Sequence, residues 1–377
     1  MKLAALTRLG AKHVRNAVAE AAYLKTRFDI TRPTAVHAIL TLRCNYRCRY
    51  CGYWREDGHL DEMNGEEWRA ALLSLKAFLG HYHVEFTGGE PLLKEGVTDL
   101  LHFCHQNGIR FGVTTNGSVF GERMAEEVIA ARPLNINISL DSHIAEIHDY
   151  VRGVPGSHGR VTQSIRRLIS ECEKQRADVS IVLKPTVHAL NFRTLPETVQ
   201  WVQDMGAASV NFQPVGRWTP ETSQELWISG QELHELEGVV DRLVELQRRG
   251  APILNSEPLL RLWPRHFREE KAPPEAMPCR VGMRNFFIRP DGDVTVCWFF
   301  PPIGNVRRGS ARGIWRSPEA RRRRRQTTSC DRLCLFTCLS QKTLADKIRM
   351  GLRLLAGSRR RGTATTVPDR KRRDKPA

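Results

Sequence analysis

No run of ~18 apolar residues occurs anywhere in the chain, which excludes a helix that crosses a bilayer. The first thirty residues set single apolar positions between Lys2, Arg8, Lys12 and Arg15, so the continuous apolar core of a secretory signal is missing too. Aromatic residues make up only 7% of the sequence, and none interrupts the basic runs 321–325, 359–361 and 370–373. Those runs therefore lack the stacking platforms that single-stranded nucleic acid requires. What the chain does have is an ordinary globular balance, 41% hydrophobic and 26% charged, which excludes disorder for most of its length. Its 377 residues suggest two domains, or one large domain with an appendage.

The net charge of +17 is local. Residues 1–300 hold 36 Lys and Arg against 36 Asp and Glu, whereas residues 301–377 hold 22 against 5. The bulk is neutral and the basic character belongs to an appendage, read as a solvated tail with at most peripheral contact with anionic surfaces and no specific nucleic-acid partner. The ten cysteines are concentrated as well: Cys44, Cys48 and Cys51 in one cluster, Cys279, Cys297, Cys330, Cys334 and Cys338 in another. Concentrated thiols without a secretory opening fit metal ligation in a reducing cytoplasm better than disulfide staples. Cys104 and Cys172 stand alone in amphipathic stretches and read as small buried residues.

Residues 1–28 form a basic amphipathic helix, expected to pack on the main domain, with binding to a membrane surface as the alternative. From Pro33 onward short apolar runs alternate with helical patterns. Strands are predicted at 36–42, 83–87, 110–114, 135–140, 180–185 and 209–214, and helices at about 64–79, 93–107, 121–132, 159–175 and 195–205. Six such units imply a parallel sheet curled by right-handed crossovers into an open or closed barrel, with the chemistry on loops after the strand ends. A long helix at 228–249 and a proline-containing connection follow. Then comes a hairpin, 286–289 and 293–298 around Pro290-Asp291-Gly292. The organisation expected is 1–34 N-terminal helix, 35–225 core barrel, 226–278 connection, 279–340 cysteine-rich auxiliary domain, 341–356 helix and 357–377 disordered tail.

Cys44-x3-Cys48-x2-Cys51 directly follows a strand. Three soft thiolates in a short loop suit an iron–sulfur cluster. Zinc is the competitor, but it normally takes four ligands, and no fourth Cys or His lies in that loop. Gly88-Gly89-Glu90-Pro91 ends the second strand, where backbone without a Cβ can approach a ligand and Glu90 can accept from an ammonium.

These residues together resemble the radical S-adenosylmethionine (SAM) superfamily over residues 35–215, with a SPASM or Twitch type auxiliary domain over about 279–338. The resemblance implies a partial (β/α)6 TIM-like barrel plus a small cysteine-rich α+β domain. It implies that Cys44, Cys48 and Cys51 hold a 4Fe–4S cluster with one open iron. Tyr50, Gly88, Gly89, Glu90, Asn116, Ser139 and Asp141 fall where relatives contact S-adenosylmethionine. The activity implied is reductive cleavage to a 5′-deoxyadenosyl radical that takes a hydrogen atom from substrate, fed by an electron donor such as flavodoxin or ferredoxin. In the second cluster the spacing Cys330-x3-Cys334-x3-Cys338 departs from the full SPASM pattern. Five cysteines complete one auxiliary 4Fe–4S site from four of Cys279, Cys297, Cys330, Cys334 and Cys338, with a structural zinc site as the alternative.

Other residues stay open. Trp201, Trp227 and Trp315 read as core, and His81 and His83 flank the second strand as structural histidines. Arg152, Lys184 and Asn191 could pack or bind substrate. The function expected is hydrogen abstraction from a small metabolite, sugar, lipid or cofactor precursor. The alternative is maturation of a ribosomally made peptide, and a non-enzymatic iron–sulfur or nucleic-acid-binding protein is a distant third. With 34 residues before the first strand, neither a leader-binding winged helix nor a cobalamin domain is expected.

Overall fold

The computed structural model describes the backbone of residues 2–56, 60–274 and 277–336, and side chains from residue 14. The helix and tail predicted for 341–377 lie outside the described residues, as does Cys338. In chain order the elements open with α1 (Lys2–Thr26), β1 (Ala35–Ile39), α2 (Gly65–Leu79), β2 (His83–Thr87), α3 (Val97–Gln106) and β3 (Arg110–Thr115). They continue with α4 (Glu122–Ala130), β4 (Asn135–Ile138), α5 (Ala145–Arg152), α6 (Ser157–Lys174), β5 (Ser180–Leu183), β6 (Thr186–Val187), α7 (Leu195–Asp204), β7 (Ser209–Val210) and β8 (Gln213–Pro214). After α8 (Glu232–Arg248), α9 (Glu257–Leu260) and α10 (Trp263–Phe267) the chain closes with α11 (Val281–Arg284), β9 (Asn285–Ile288), β10 (Asp293–Thr295), β11 (Gly304–Asn305), α12 (Ala311–Arg316) and α13 (Pro318–Thr328).

The six strands read from apolar alternation are all present. Strands β1 to β4 each pair in parallel with the next, and β5 pairs in parallel with β7, giving the order β1-β2-β3-β4-β5-β7. This is the mostly parallel α/β architecture of a partial TIM barrel. Helix α2 shows why such units form. Asn64 Oδ1 accepts from the Glu67 amide at 3.0 Å while Glu67 Oε2 accepts from the Asn64 amide at 2.9 Å. That reciprocal cap starts a helix whose Trp68, Leu72, Leu75 and Leu79 recur at helical spacing and are buried against the sheet.

The cysteine-rich segment shares this sheet. Strand β9 pairs in parallel with β1, from Ala35↔Asn285 to Ala38↔Ile288, and β10 and β11 extend it antiparallel. The nine-stranded order is β11-β10-β9-β1-β2-β3-β4-β5-β7. The Pro290-Asp291-Gly292 turn closes the β9–β10 hairpin, with the Arg289 amide donating to the Asp293 carbonyl at 2.8 Å and Gly292 at φ 87°. The auxiliary segment is thereby fixed beside the strand that leads to the first cysteine loop. Trp227 and Trp315 are buried as expected, and Cys104 is fully buried. Among the described residues no helix is long and apolar enough to cross a membrane.

Candidate active site

The loop after β1 carries Cys44, Cys48 and Cys51, and the ends of β2, β3 and α5 hold it in shape. Asn116, after β3, donates to Asn45 Oδ1 at 2.9 Å and towards Cys44 Sγ at 3.8 Å. The Arg47 and Arg49 amides donate to the carbonyls of Arg152 and Val151 at 3.3 and 2.9 Å, so the end of α5 forms the floor of the loop. Gly88 and Gly89 press on its first residues: a Cβ on Gly88 would stand 2.3 Å from the Thr41 carbonyl oxygen, and one on Gly89 2.3 Å from that of Arg43. The glycines are thus required by backbone-on-backbone packing, a cause additional to the ligand approach inferred from sequence.

All three thiols are buried or half-buried. Burial pushes the Cys48 thiol up to about 12, against the lowering effect of Arg152, and Cys44 and Cys51 are raised for the same first reason. Each of the three also responds to at least one other charge in the site. Such thiols stay protonated at neutral pH unless a metal stabilises the thiolate. Among the described residues no group of three or more His, Cys, Asp or Glu is arranged around a single metal ion. Three soft sulfur donors converging from one loop, next to a guanidinium that offsets negative charge, do fit a 4Fe–4S cube.

Behind the loop lies a fully buried ion pair. Asp141 lies 2.8 Å from Arg152 Nε as an ion pair and accepts from Arg152 Nη2 at 3.0 Å, from the Tyr50 hydroxyl at 3.0 Å and from the Thr186 amide at 2.9 Å. Arg152 Nη1 points to Cys48 Sγ at 3.7 Å, and its guanidinium carbon lies 5.6 Å from the centre of the Tyr50 ring. Burial pushes the Asp141 carboxyl up, but Arg152, His188 and His148 outweigh it and hold it low. Asn191 donates to the Asp141 and Thr186 carbonyls at 2.7 and 2.8 Å. Glu90 is also fully buried. It accepts from the Asn116 amide at 2.7 Å, the Thr115 hydroxyl at 2.8 Å and the Leu92 amide at 3.2 Å, and burial raises it to about 7. In this structure Glu90 and Asp141 bind protein groups. Tyr50 and Ser139 are half-exposed near them.

A second polar cluster lines one face of the sheet, a place where parallel strands are ordinarily apolar. His37, Glu85, Thr114, Asn135 and Asn137 alternate with buried Val36, Ala38, Val84, Phe86, Val113 and Ile136. Glu85 accepts from Thr114 at 2.7 Å, Asn137 at 2.6 Å and Asn135 at 3.3 Å, with His83 Nε2 at 3.3 Å. Burial pushes Glu85 up, yet His83, Thr114 and Lys184 hold it low. His37 is driven down to about 4, first by burial, with Lys184 and His83 adding and Glu85 opposing. The sequence reading singled out His83 and Lys184 but missed the rest. The readable signal was polar residues at every second position of strands otherwise rich in Val, Ile and Phe.

In the auxiliary segment the Cys334 thiol is pushed up to about 12, first by burial and then by Cys297, Cys279 and Cys330, which lie within electrostatic reach of it. None of the nine described cysteines forms a disulfide.

The Radical SAM superfamily matches residues 38–201, and the SPASM iron–sulfur cluster-binding domain matches residues 279–339. The chain belongs to the radical SAM superfamily. It is an enzyme whose cofactors are S-adenosylmethionine and iron–sulfur clusters. An AdoMet-dependent heme synthase of Oleidesulfovibrio alaskensis is 24% identical over 318 residues, which cover 78% of this chain and 77% of the relative. The antilisterial bacteriocin subtilosin biosynthesis protein AlbA of Bacillus subtilis is 25% identical over 301 residues, 76% of this chain and 60% of that one. The crystal structure of Streptococcus suis SuiB bound to S-adenosylmethionine shares the fold at a TM-score of 0.61, with 16% identity over 82% of this chain and 71% of that one.

Proposed function

We propose that this radical SAM enzyme cleaves S-adenosylmethionine reductively at Cys44, Cys48 and Cys51 and takes a hydrogen atom from a small polar substrate held on the inner sheet face. The observation that carries this reading is the half-exposed network of His37, Glu85, Thr114, Asn135, Asn137 and Lys184, because a polar substrate can join such a network whereas an apolar one would strip it of water with no hydrogen bonds in return. Cys44, Cys48 and Cys51 would hold a 4Fe–4S cluster, which would supply the single electron that reductive cleavage of the C5′–S bond of S-adenosylmethionine requires. The chain's own residues do the positioning. Asn116 and the α5 end fix the thiol loop, and Arg152 sets positive charge beside Cys48. Tyr50 presents its ring at the loop while its hydroxyl is tied to Asp141, and Glu90 joins the β2 and β3 loops. Four auxiliary thiols, Cys279, Cys297, Cys330 and Cys334, would hold the second cluster, beside β1 through β9. A flavodoxin or ferredoxin of the same reducing compartment would deliver the electrons.

A second reading, maturation of a ribosomally made peptide, is favoured by the likeness to AlbA over 76% of this chain. In that case a polar side chain of the peptide would enter the same face. The test is anaerobic reconstitution and measurement of 5′-deoxyadenosine. Slow uncoupled formation should accelerate with the true substrate, and deuterium from that substrate should appear in 5′-deoxyadenosine. Stimulation by a small-molecule extract supports the first reading, and stimulation only by a peptide supports the second. No cleavage under any condition defeats both.

A further inference from the structure

Away from the cysteine loops, a cavity of about 300 Å³ opens between the end of α1 and α13, lined by Tyr23, Arg27, Phe28, Asp29, Arg316, Arg321 and Arg325. Its single carboxylate is already committed: Asp29 pairs with buried Arg324 at 2.7 Å and with Arg316 at 3.3 Å. Arg27, Arg321 and Arg325 form no ion pair among the described residues, so three exposed guanidiniums share one opening. Around them the surface is apolar. Val14 and Val18 are each 58% exposed, and Phe28 is 65% exposed. Val14 and Val18, with Ala21 and Lys25, follow the 4-3-4 spacing of one face of α1, and Phe28 follows just beyond its end, past Arg27 at φ 62°, at the cavity. The only acid of residues 1–28, Glu20, faces inward and pairs with Arg280 and Arg284.

We propose that this face is a docking site for an anionic phospholipid surface, with the arginine cavity taking a headgroup phosphate and Val14, Val18 and Phe28 entering the acyl boundary. Charge complementarity selects the ligand: three unbalanced guanidiniums call for a polyanionic surface. The aliphatic ridge selects lipid over nucleic acid, since valines cannot stack on bases but can enter an interface. An apolar anchor plus a basic patch supplies the two signals that reversible membrane attachment needs. The site lies on elements that the S-adenosylmethionine machinery does not use, so the two can be tested apart.

The experiment measures sedimentation of the full-length protein with phosphatidylcholine vesicles and with vesicles containing roughly one-third phosphatidylglycerol, which carry the negative surface potential the site requires. Binding should be confined to the anionic vesicles and weaken steeply between ~0.1 and ~1 M salt as the Debye length contracts. Combined Arg27→Gln, Arg321→Gln and Arg325→Gln should lower the partition roughly a hundredfold, from about 1 kcal/mol for each basic residue at the surface. Phe28→Asp should lower it too, without touching the guanidiniums. Both variants should keep the wild-type melting temperature and uncoupled 5′-deoxyadenosine formation. Equal binding by wild type and the triple variant, or equal binding to neutral vesicles, overturns the proposal. So does a cavity-dependent stabilisation by inorganic phosphate without vesicle binding, or an RNA affinity lost in the triple variant while vesicles are ignored.

Discussion

Replacing Arg152 by Gln tests the buried ion pair behind the cysteine loop. Asp141 is fully buried and receives four short contacts, two of them from Arg152, at 2.8 and 3.0 Å. After Arg152→Gln, the Tyr50 hydroxyl and the Thr186 amide remain, at 3.0 and 2.9 Å. They satisfy part of the carboxylate but cannot balance its charge. Removing one partner of a buried pair ordinarily costs 3–5 kcal/mol, and the surviving donors place this case near the lower end, about 3 kcal/mol. Arg152→Gln with Asp141→Asn removes both charges and should recover about 2 kcal/mol of that loss, because a neutral amide pair carries no uncompensated charge.

The assay is urea unfolding of cluster-free protein followed by tryptophan fluorescence, with wild type, both single variants and the double variant analysed as a cycle. The pH dependence supplies a second readout. In wild type the Asp141 carboxyl is held below its usual range, so its contribution is present above the ordinary aspartate pKa and lost as pH falls through the folded value. In Arg152→Gln the unpaired carboxyl is pushed upward instead, so the deficit relative to wild type should shrink as acid protonates it. A single-variant cost under about 1 kcal/mol, or a double variant no better than the sum of the singles, would refute the account of this pair as a coupled buried charge.

Replacing Cys44, Cys48 and Cys51 together by Ala should abolish 5′-deoxyadenosine formation while iron falls from about eight to about four per chain, two 4Fe–4S clusters becoming one. Iron near zero, or stoichiometric zinc, in that variant would sink the assignment of Cys279, Cys297, Cys330 and Cys334. Gly88→Ala should cost about 3 kcal/mol, since its Cβ would meet the Thr41 carbonyl oxygen at 2.3 Å with φ at 148°. A variant that melts like wild type would show that the loop yields. Acid should also destabilise the cluster-free protein: burial lowers His148 to about 3 and His37 and His188 to about 4. Stability from these neutral rings is present above the free histidine pKa of ~6.5 and falls by about 1.4 kcal/mol per pH unit per histidine towards the folded values. Glu90, raised to about 7, works in the opposite sense between its free value and pH 7. A flat profile from pH 6.5 to 5 in urea melts would contradict the balance of three against one.

The cysteine loop was legible because its spacing, the aromatic at Tyr50 and the glycines after β2 are all local in sequence. The six strands were legible because Val, Ile and Phe runs recur between helical patterns of regular length. Strand β9 was read as one arm of the 286–298 hairpin, but its pairing with β1 was not, because β1 lies some 250 residues earlier and a parallel pairing over that distance leaves no local trace. Helix α5 was missed because Glu146, His148, Asp149 and Arg152 make it too polar for a periodicity search, although His148 and Arg152 are buried beside Asp141. Those side chains turn inward on each other, which composition cannot register. The glycine pair was read correctly as a site of close approach, but whether the approaching group was a ligand or the Thr41–Arg43 backbone depended on tertiary contacts.

The two buried carboxylates and the inner-face network divide the work of a radical enzyme. Asp141 and Glu90 are spent on protein groups: one anchors Arg152 beside Cys48, the other locks the β3 loop against β2. Rigid loops are what radical chemistry needs, since a reactive carbon centre abstracts from whatever C–H bond comes within reach. Recognition then falls to the half-exposed groups that remain. On the inner face these are of both signs, Glu85 held low and Lys184 near it, with the amides of Asn135 and Asn137 between the strands. Glu85 already takes three side-chain donors besides His83, so a substrate carboxylate meets repulsion there and attraction only on the Lys184 side. An ammonium or hydroxyl meets the reverse. Under the proposed function, the inner face would orient a polar substrate along one direction, with its anionic end toward β5 and its donor end toward β2.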